Sequence, residues 1–173
     1  MKKVVGTVFI VLCIIVSVIL QANIFNEICI FGVRANLLLV LTVAIGLWYG
    51  IFVGGIYGLI NGIIANSLFE PSGGKYIVAY TLIGIVIGLI NQIYKKENKA
   101  ALIYVVAYTS VIFEIFNFLW TAATIKVFAG IFTIIKTVGI ATIMNCIIAY
   151  IAYYAVVYIS YKIDEVLALE DRW

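Results

Sequence analysis

Between Arg34 and Glu70 no side chain carries a charge, and the apolar stretch that begins at Asn36 does not end until Leu68. A helix rises about 1.5 Å per residue, so one crossing of roughly 30 Å of hydrocarbon takes about 20 residues. The stretch is too long for one crossing and predicts two, joined by a tight hairpin near Trp48-Tyr49-Gly50, although no polar loop marks the turn. Composition agrees: of 173 residues, 66% are apolar and 11% charged, against about a quarter charged in an average soluble domain. Such a chain is expected to be an integral membrane protein, with the lipid bilayer as its solvent.

Four further runs complete a single membrane domain over residues 1–173. Val4 to Ala22 forms the first span, Asn36 to Tyr49 the second and Gly50 to Leu68 the third; Tyr76 to Tyr94, Ala100 to Leu119 and Thr137 to Ser160 follow. The predicted fold is an all-α bundle of six transmembrane helices. Val127 to Ile135 is apolar but too short to cross, and it is bracketed by Lys126 and Lys136. It reads either as an interfacial or re-entrant segment or as a hydrophobic loop over the helix ends.

With six spans, both termini and the loops after even-numbered spans share one side. That side holds Lys2, Lys3, Lys95, Lys96, Lys99, Lys162 and Arg172, and the other holds Arg34, Lys75, Lys126 and Lys136. The excess of positive charge places both termini in the cytoplasm, with the Lys95-Lys96-Glu97-Asn98-Lys99 cluster as the clearest anchor. Met1-Lys2-Lys3 before an apolar run also fits the start of a secretory signal. The run is longer than a usual signal core of about 7–15 residues, and Leu20 stands where a cleavage site near Gln21 needs a small residue. An uncleaved first span is expected.

Several chemistries are excluded. The chain has no histidine, so it lacks an imidazole base or metal ligand. Its aspartates, Asp164 and Asp171, lie in the C-terminal tail, which removes a paired intramembrane aspartate site. Cys13, Cys29 and Cys146 share no close spacing and are odd in number, which argues against a disulfide framework or a zinc site. A net charge of +3, scattered along the chain, does not suggest a nucleic-acid partner. Neither catalysis nor a cofactor is expected.

Gly46, Gly50, Gly54, Gly58 and Gly62 recur at every fourth position, and Gly84 and Gly88 repeat the spacing on the fourth span. Small residues let backbones approach closely, which is how helices associate in lipid. Two readings stand: packing against sister spans, or a surface bordered by Gly50, Gly54, Gly58, Gly62, Gly84 and Gly88 that takes in a partner's helix. The intramembrane amides Asn61, Asn66, Asn91, Gln92, Asn117 and Asn145 read first as hydrogen bonds between helices. Glu114 differs, because a carboxylate at membrane depth tends to face a cavity or a partner. Asn117 lies nearly one turn on, on the same face. Glu114 is either a structural glutamate or, with Asn36, Asn66 and Asn117, part of an outward-facing pocket.

The stretch Ile28-Cys29-Ile30-Phe31-Gly32-Val33-Arg34-Ala35-Asn36-Leu37-Leu38-Leu39 resembles the rod shape-determining protein MreD family, in which a short outer segment reads into Pro-Asn-Leu-Leu-Leu; Ala35 here replaces the proline. Gly58, Gly62 and Asn66 are similar to the glycines and acidic ending of that family's third span, with Asn66 in the acid's place. Ser72-Gly73-Gly74, Tyr80 and the Gly84–Gly88 pair resemble the beginning of its fourth. The resemblance implies a non-enzymatic subunit of the elongasome, which builds lateral cell wall. It also implies an MreC-like single-span partner, with RodA and a penicillin-binding protein further along the assembly. The implied fold is similar to that of the S-components of energy-coupling-factor transporters, and this supplies the alternative: a vitamin-binding subunit with an outward pocket. S-components usually carry an alanine pair on the first span, and Val4 to Ala22 lacks one.

Overall fold

The computed structural model describes residues 2–69, 73–93, 99–126 and 130–170. Among these lie six α-helices: α1 (Lys2–Leu20), α2 (Leu37–Tyr49), α3 (Ile51–Phe69), α4 (Lys75–Ile90), α5 (Lys99–Ile125) and α6 (Ile131–Glu170). A π-helical turn, Gln21–Phe25, extends α1. The two short strands β1 (Cys29–Ile30) and β2 (Val33–Arg34) pair antiparallel, Cys29 with Arg34 and Ile30 with Val33. Phe31 and Gly32 at the tip both have positive φ, 52° and 87°, as the tightest hairpin turn requires. Of the charged positions used to orient the chain, Lys95, Lys96 and Arg172 lie outside the described residues, as do Glu70, Ser72, Tyr94, Glu97, Asn98 and Asp171.

The bundle is built around α2. Every residue from Leu37 to Trp48 is buried, and α2 touches all five other helices. At 13 residues it is only about 20 Å long, short of the hydrocarbon thickness. This is compatible with a membrane because the remaining depth is taken by protein: the hairpin and the extended Ala35-Asn36 link lead into α2 inside the bundle. Non-helical backbone is tolerated at such depth when protein surrounds it. Among the described residues three helices have the length and apolar character to cross: Ile51–Phe69, Lys99–Thr124 and Ile131–Ala155.

The turn between α2 and α3 falls where the length of the apolar stretch placed it. Gly50 alone separates the two helices, with φ 83° and ψ −169°, a conformation that costs a residue with a Cβ dearly. The reading of Val127 to Ile135 as a short interfacial segment is corrected in part. Ile131 to Ile135 form the first turns of α6, which runs 40 residues, or about 60 Å, while Val127 to Ala129 lie outside the described residues.

The glycines pack α3 directly on α4. A Cβ on Gly54 would lie 2.5 Å from the carbonyl oxygen of Gly84 and 2.9 Å from Cα of Gly46. One on Gly58 would strike the carbonyl of Tyr80, and one on Gly84 the carbonyl of Gly54. Gly62 lies against Ile77, and Gly88 against Gly50 and Ile51. The expectation that Gly50, Gly54, Gly58, Gly62, Gly84 and Gly88 border a partner's helix therefore gives way to the other reading. Sister backbone fills the stripe, and Gly50 is the turn.

Candidate functional site

Burying the N-terminus of α2 creates a demand that the sequence meets with amides. The first N–H groups of a helix have no partner within it, and in a dry interior water does not supply one. Asn36 caps the helix, its Oδ1 accepting from the Leu39 amide at 3.0 Å. The Leu37 amide donates to Gln21 Oε1 at 2.8 Å, and Gln21 Nε2 returns a bond to the Ala35 carbonyl at 3.2 Å. The Asn36 amide donates to Asn145 Oδ1 at 2.8 Å, and Asn145 Nδ2 donates to Ser110 Oγ at 3.0 Å. Tyr80 Oη donates to Asn36 Oδ1 at 2.7 Å. Side chains from the end of α1 and from α4, α5 and α6 thus converge on one helix end.

Further along α2 the same device recurs. Asn61 Nδ2 reaches the Leu38 carbonyl and Thr42 Oγ1, at 3.3 and 3.1 Å, and Asn91 Nδ2 donates to the Leu47 carbonyl. Asn61, Asn91 and Asn145 therefore join helices, as expected of amides in lipid. The sequence reading missed Gln21 and Ser110 as members of the network. The signal for Gln21 was its position: an amide at the end of an apolar run is unremarkable until a neighbouring helix is found to begin inside the bundle.

Beside this network opens a cavity of about 470 Å³. One wall is the hairpin, with Cys29, Gly32 and Arg34; Asn36, Tyr76 and Phe69 line the cavity further round. The opposite wall is Phe113, Glu114 and Asn117 of α5 and Thr137 of α6. Tyr76 and Phe113 meet at 6.0 Å between ring centroids, Tyr80 and Phe113 edge-on at 5.6 Å. Glu114 and Asn117, nearly one turn apart on α5, border the cavity together. Lys75, buried at the start of α4, sits 5.1 Å from the centroid of the Tyr76 ring. Three residues named from sequence, Asn36, Glu114 and Asn117, are brought together here. The fourth, Asn66, is half-buried on α3 and is not part of the lining.

A second, wholly apolar cavity of about 370 Å³ lies between α1 and α6, bordered by Cys13, Leu20, Leu41 and Ile148. Among the described residues no group of three or more Cys, Asp or Glu side chains is placed to hold a metal ion.

No curated protein and no solved structure matches the chain. A family model described as 5TMR of 5TMR-LYT matches residues 1–157, from the first helix through most of α6. The match spans nearly all of the helical bundle built around α2, and the apolar crossing helices agree with it. The chain is a multi-span membrane protein and belongs to the 5TMR-LYT family.

Proposed function

We propose that this protein is an MreD-like, non-enzymatic membrane subunit of the machinery that builds lateral cell wall, and that it binds an MreC-like single-span protein. One observation carries the reading. The residues through which the sequence resembles the MreD family are the residues that interlock: Tyr80 holds the Asn36 cap, Gly58 receives the Tyr80 carbonyl, and Gly84 meets Gly54. Residues interlocked in this way specify a scaffold, and a scaffold is what a membrane subunit without chemistry of its own requires. In this reading both termini are cytoplasmic, the hairpin is extracytoplasmic, and RodA and a penicillin-binding protein join through the partner. The partner's helix docks on a lipid-facing surface, because the glycine stripe is occupied.

The alternative, a vitamin-binding S-component of an energy-coupling-factor transporter, is favoured by the polar cavity, whose volume falls within the roughly 300–1,000 Å³ of small-molecule sites. Affinity purification of the full chain from its native membrane separates the two. Recovery of an MreC-like protein, together with rounding of cells on depletion, supports the first reading. Recovery of ATPases and an energising membrane subunit, with normal cell shape on depletion, overturns it.

A further inference from the structure

We propose that the surface formed by Lys99, Tyr150 and Tyr154 binds the phosphate of an anionic phospholipid, and that the groove leading from it along α6 holds one of the lipid's acyl chains. Three side chains converge there. Lys99 Nζ donates to Tyr154 Oη at 3.2 Å, and the Tyr150 and Tyr154 hydroxyls share a hydrogen bond at 3.4 Å. The same ammonium stands 5.9 and 5.7 Å from the centroids of the two rings, close enough for each ring face to attract it. The rings themselves meet edge to face, with centroids 5.1 Å apart. All three residues are exposed.

Hydrogen-bond counting sets the chemistry of the ligand. An ammonium has three N–H groups and each phenol one O–H. Lys99 gives one N–H to Tyr154, and the link between the phenols takes one O–H. Two N–H groups and one O–H are left, around a single positive charge that forms no ion pair among the described residues. Such a cluster calls for an anion with several acceptor oxygens, and a phosphate supplies them.

Position sets the source of that phosphate. Lys99 begins the α5 crossing segment, and Tyr154 lies one residue before the end of the α6 crossing segment, Ile131–Ala155. The cluster is therefore at the membrane surface, where tyrosine and lysine meet headgroups. From Tyr150 an apolar groove of about 400 Å³ runs back along α6 as far as Thr142, past Ile143, Cys146 and Ile147. It leads away from the surface for about 12 Å of helix, close to the depth of one leaflet in a core about 30 Å thick. Tyr150 belongs to both the cluster and the groove. A phosphate and a hydrocarbon chain that meet at one residue describe a phospholipid and not free phosphate. The proposal goes beyond the scaffold reading and does not depend on the identity of any protein partner.

The test is native mass spectrometry of the delipidated full chain in neutral detergent. It is titrated with an equimolar mixture of phosphatidylglycerol and phosphatidylcholine bearing the same acyl chains. The two share the phosphate, but the second carries a cation that Lys99 repels. The first adduct is expected to favour phosphatidylglycerol about tenfold, the order of one charge-assisted hydrogen bond. Lys99→Gln is expected to abolish the preference. Tyr150→Phe combined with Tyr154→Phe is expected to weaken phosphatidylglycerol binding about fivefold. All three side chains are exposed, so these replacements leave the bundle intact. Lys126→Gln removes the same charge from an exposed residue beyond the far end of α5 and is expected to change nothing. Glycerol phosphate, which has the headgroup chemistry without a chain, is expected not to displace the lipid at equal concentration. Equal binding of the two lipids, or a preference that survives Lys99→Gln or falls equally with Lys126→Gln, overturns the proposal. So does phosphatidylglycerol binding unchanged by the tyrosine pair, or displacement by glycerol phosphate.

Discussion

Alanine at Gly54 and alanine at Gly139 are expected to change stability in opposite directions. Both glycines lie within helices, where Gly→Ala alone is worth about 1 kcal/mol in favour of alanine. Around Gly139 nothing lies within 4 Å of the added methyl, so that gain survives. At Gly54 the methyl carbon would sit 2.5 Å from the Gly84 oxygen and 2.9 Å from the Gly46 Cα, about 1 Å inside a comfortable contact. The atoms it meets are backbone, so no rotamer relieves the clash and α3 must move off both α4 and α2. Overpacking of this kind costs about 3 kcal/mol at the upper end, which leaves Gly54→Ala destabilised by about 2 kcal/mol after the helix gain. For a chain of this size that corresponds to a fall in Tm of about 4–8 °C, against a rise of about 2–4 °C for Gly139→Ala. Tryptophan fluorescence melting of each variant in the same detergent measures both. A Gly54→Ala protein that melts at the parent temperature yet loses its protein partner would refute the packing account and restore the glycine stripe as a docking surface.

The cap of α2 yields two further expectations. Tyr80→Phe removes one hydroxyl and is expected to cost about 1 kcal/mol. Asn36→Ala loses the cap bond and also strands the Tyr80 hydroxyl, for about 2–4 kcal/mol; melting of the single and double variants should show the losses to be less than additive, because both remove the same 2.7 Å bond. Gln21→Leu leaves the Leu37 amide and the Ala35 carbonyl without their partner, at about 1–3 kcal/mol for each buried group. It is expected to lower the yield of monodisperse protein on size exclusion more than Gln92→Leu, whose parent residue is exposed.

The parts of this fold that were legible in sequence are those that length and glycine dictate. The uncharged stretch after Arg34 demanded two helices, and Gly50 supplied the positive φ that joins them without a loop. That α2 is the hub was not legible. A lipid-facing helix and a core helix in a membrane are both apolar all round, so the Leu37–Tyr49 sequence has no polar face from which to read its neighbours. The spacing of Gly54, Gly58 and Gly62 announced a close approach of backbones but not whose backbone, since Gly84 of a sister helix and a glycine of another chain satisfy it equally. Asn36, Glu114 and Asn117 border one cavity, since polar groups at similar depth have few other places to turn. Asn66 was grouped with them on the same logic and sits elsewhere, because depth alone does not fix the direction around a helix.

The sidedness of the hairpin can be read from the protein's own thiols. Cys29 lies on β1 and is exposed, whereas Cys13 and Cys146 are half-buried within apolar helices. Cys13 borders the apolar cavity between α1 and α6, and Cys146 lies among Ile143, Ile147 and Ile151 on the outer face of α6. A membrane-impermeant, charged maleimide reaches a thiol only through water, so hydrocarbon shields the two helical cysteines and not the one on the hairpin. In the proposed orientation the hairpin lies outside the cell. Intact spheroplasts are therefore expected to take up one label per chain, and Cys29→Ser to abolish it. Permeabilising the membrane should add nothing, since the newly wetted side brings water to neither remaining thiol. Labelling that appears only after permeabilisation, and still depends on Cys29, would invert the bundle. It would place the cavity beside Arg34 and Glu114 on the cytoplasmic side, out of reach of any partner's ectodomain.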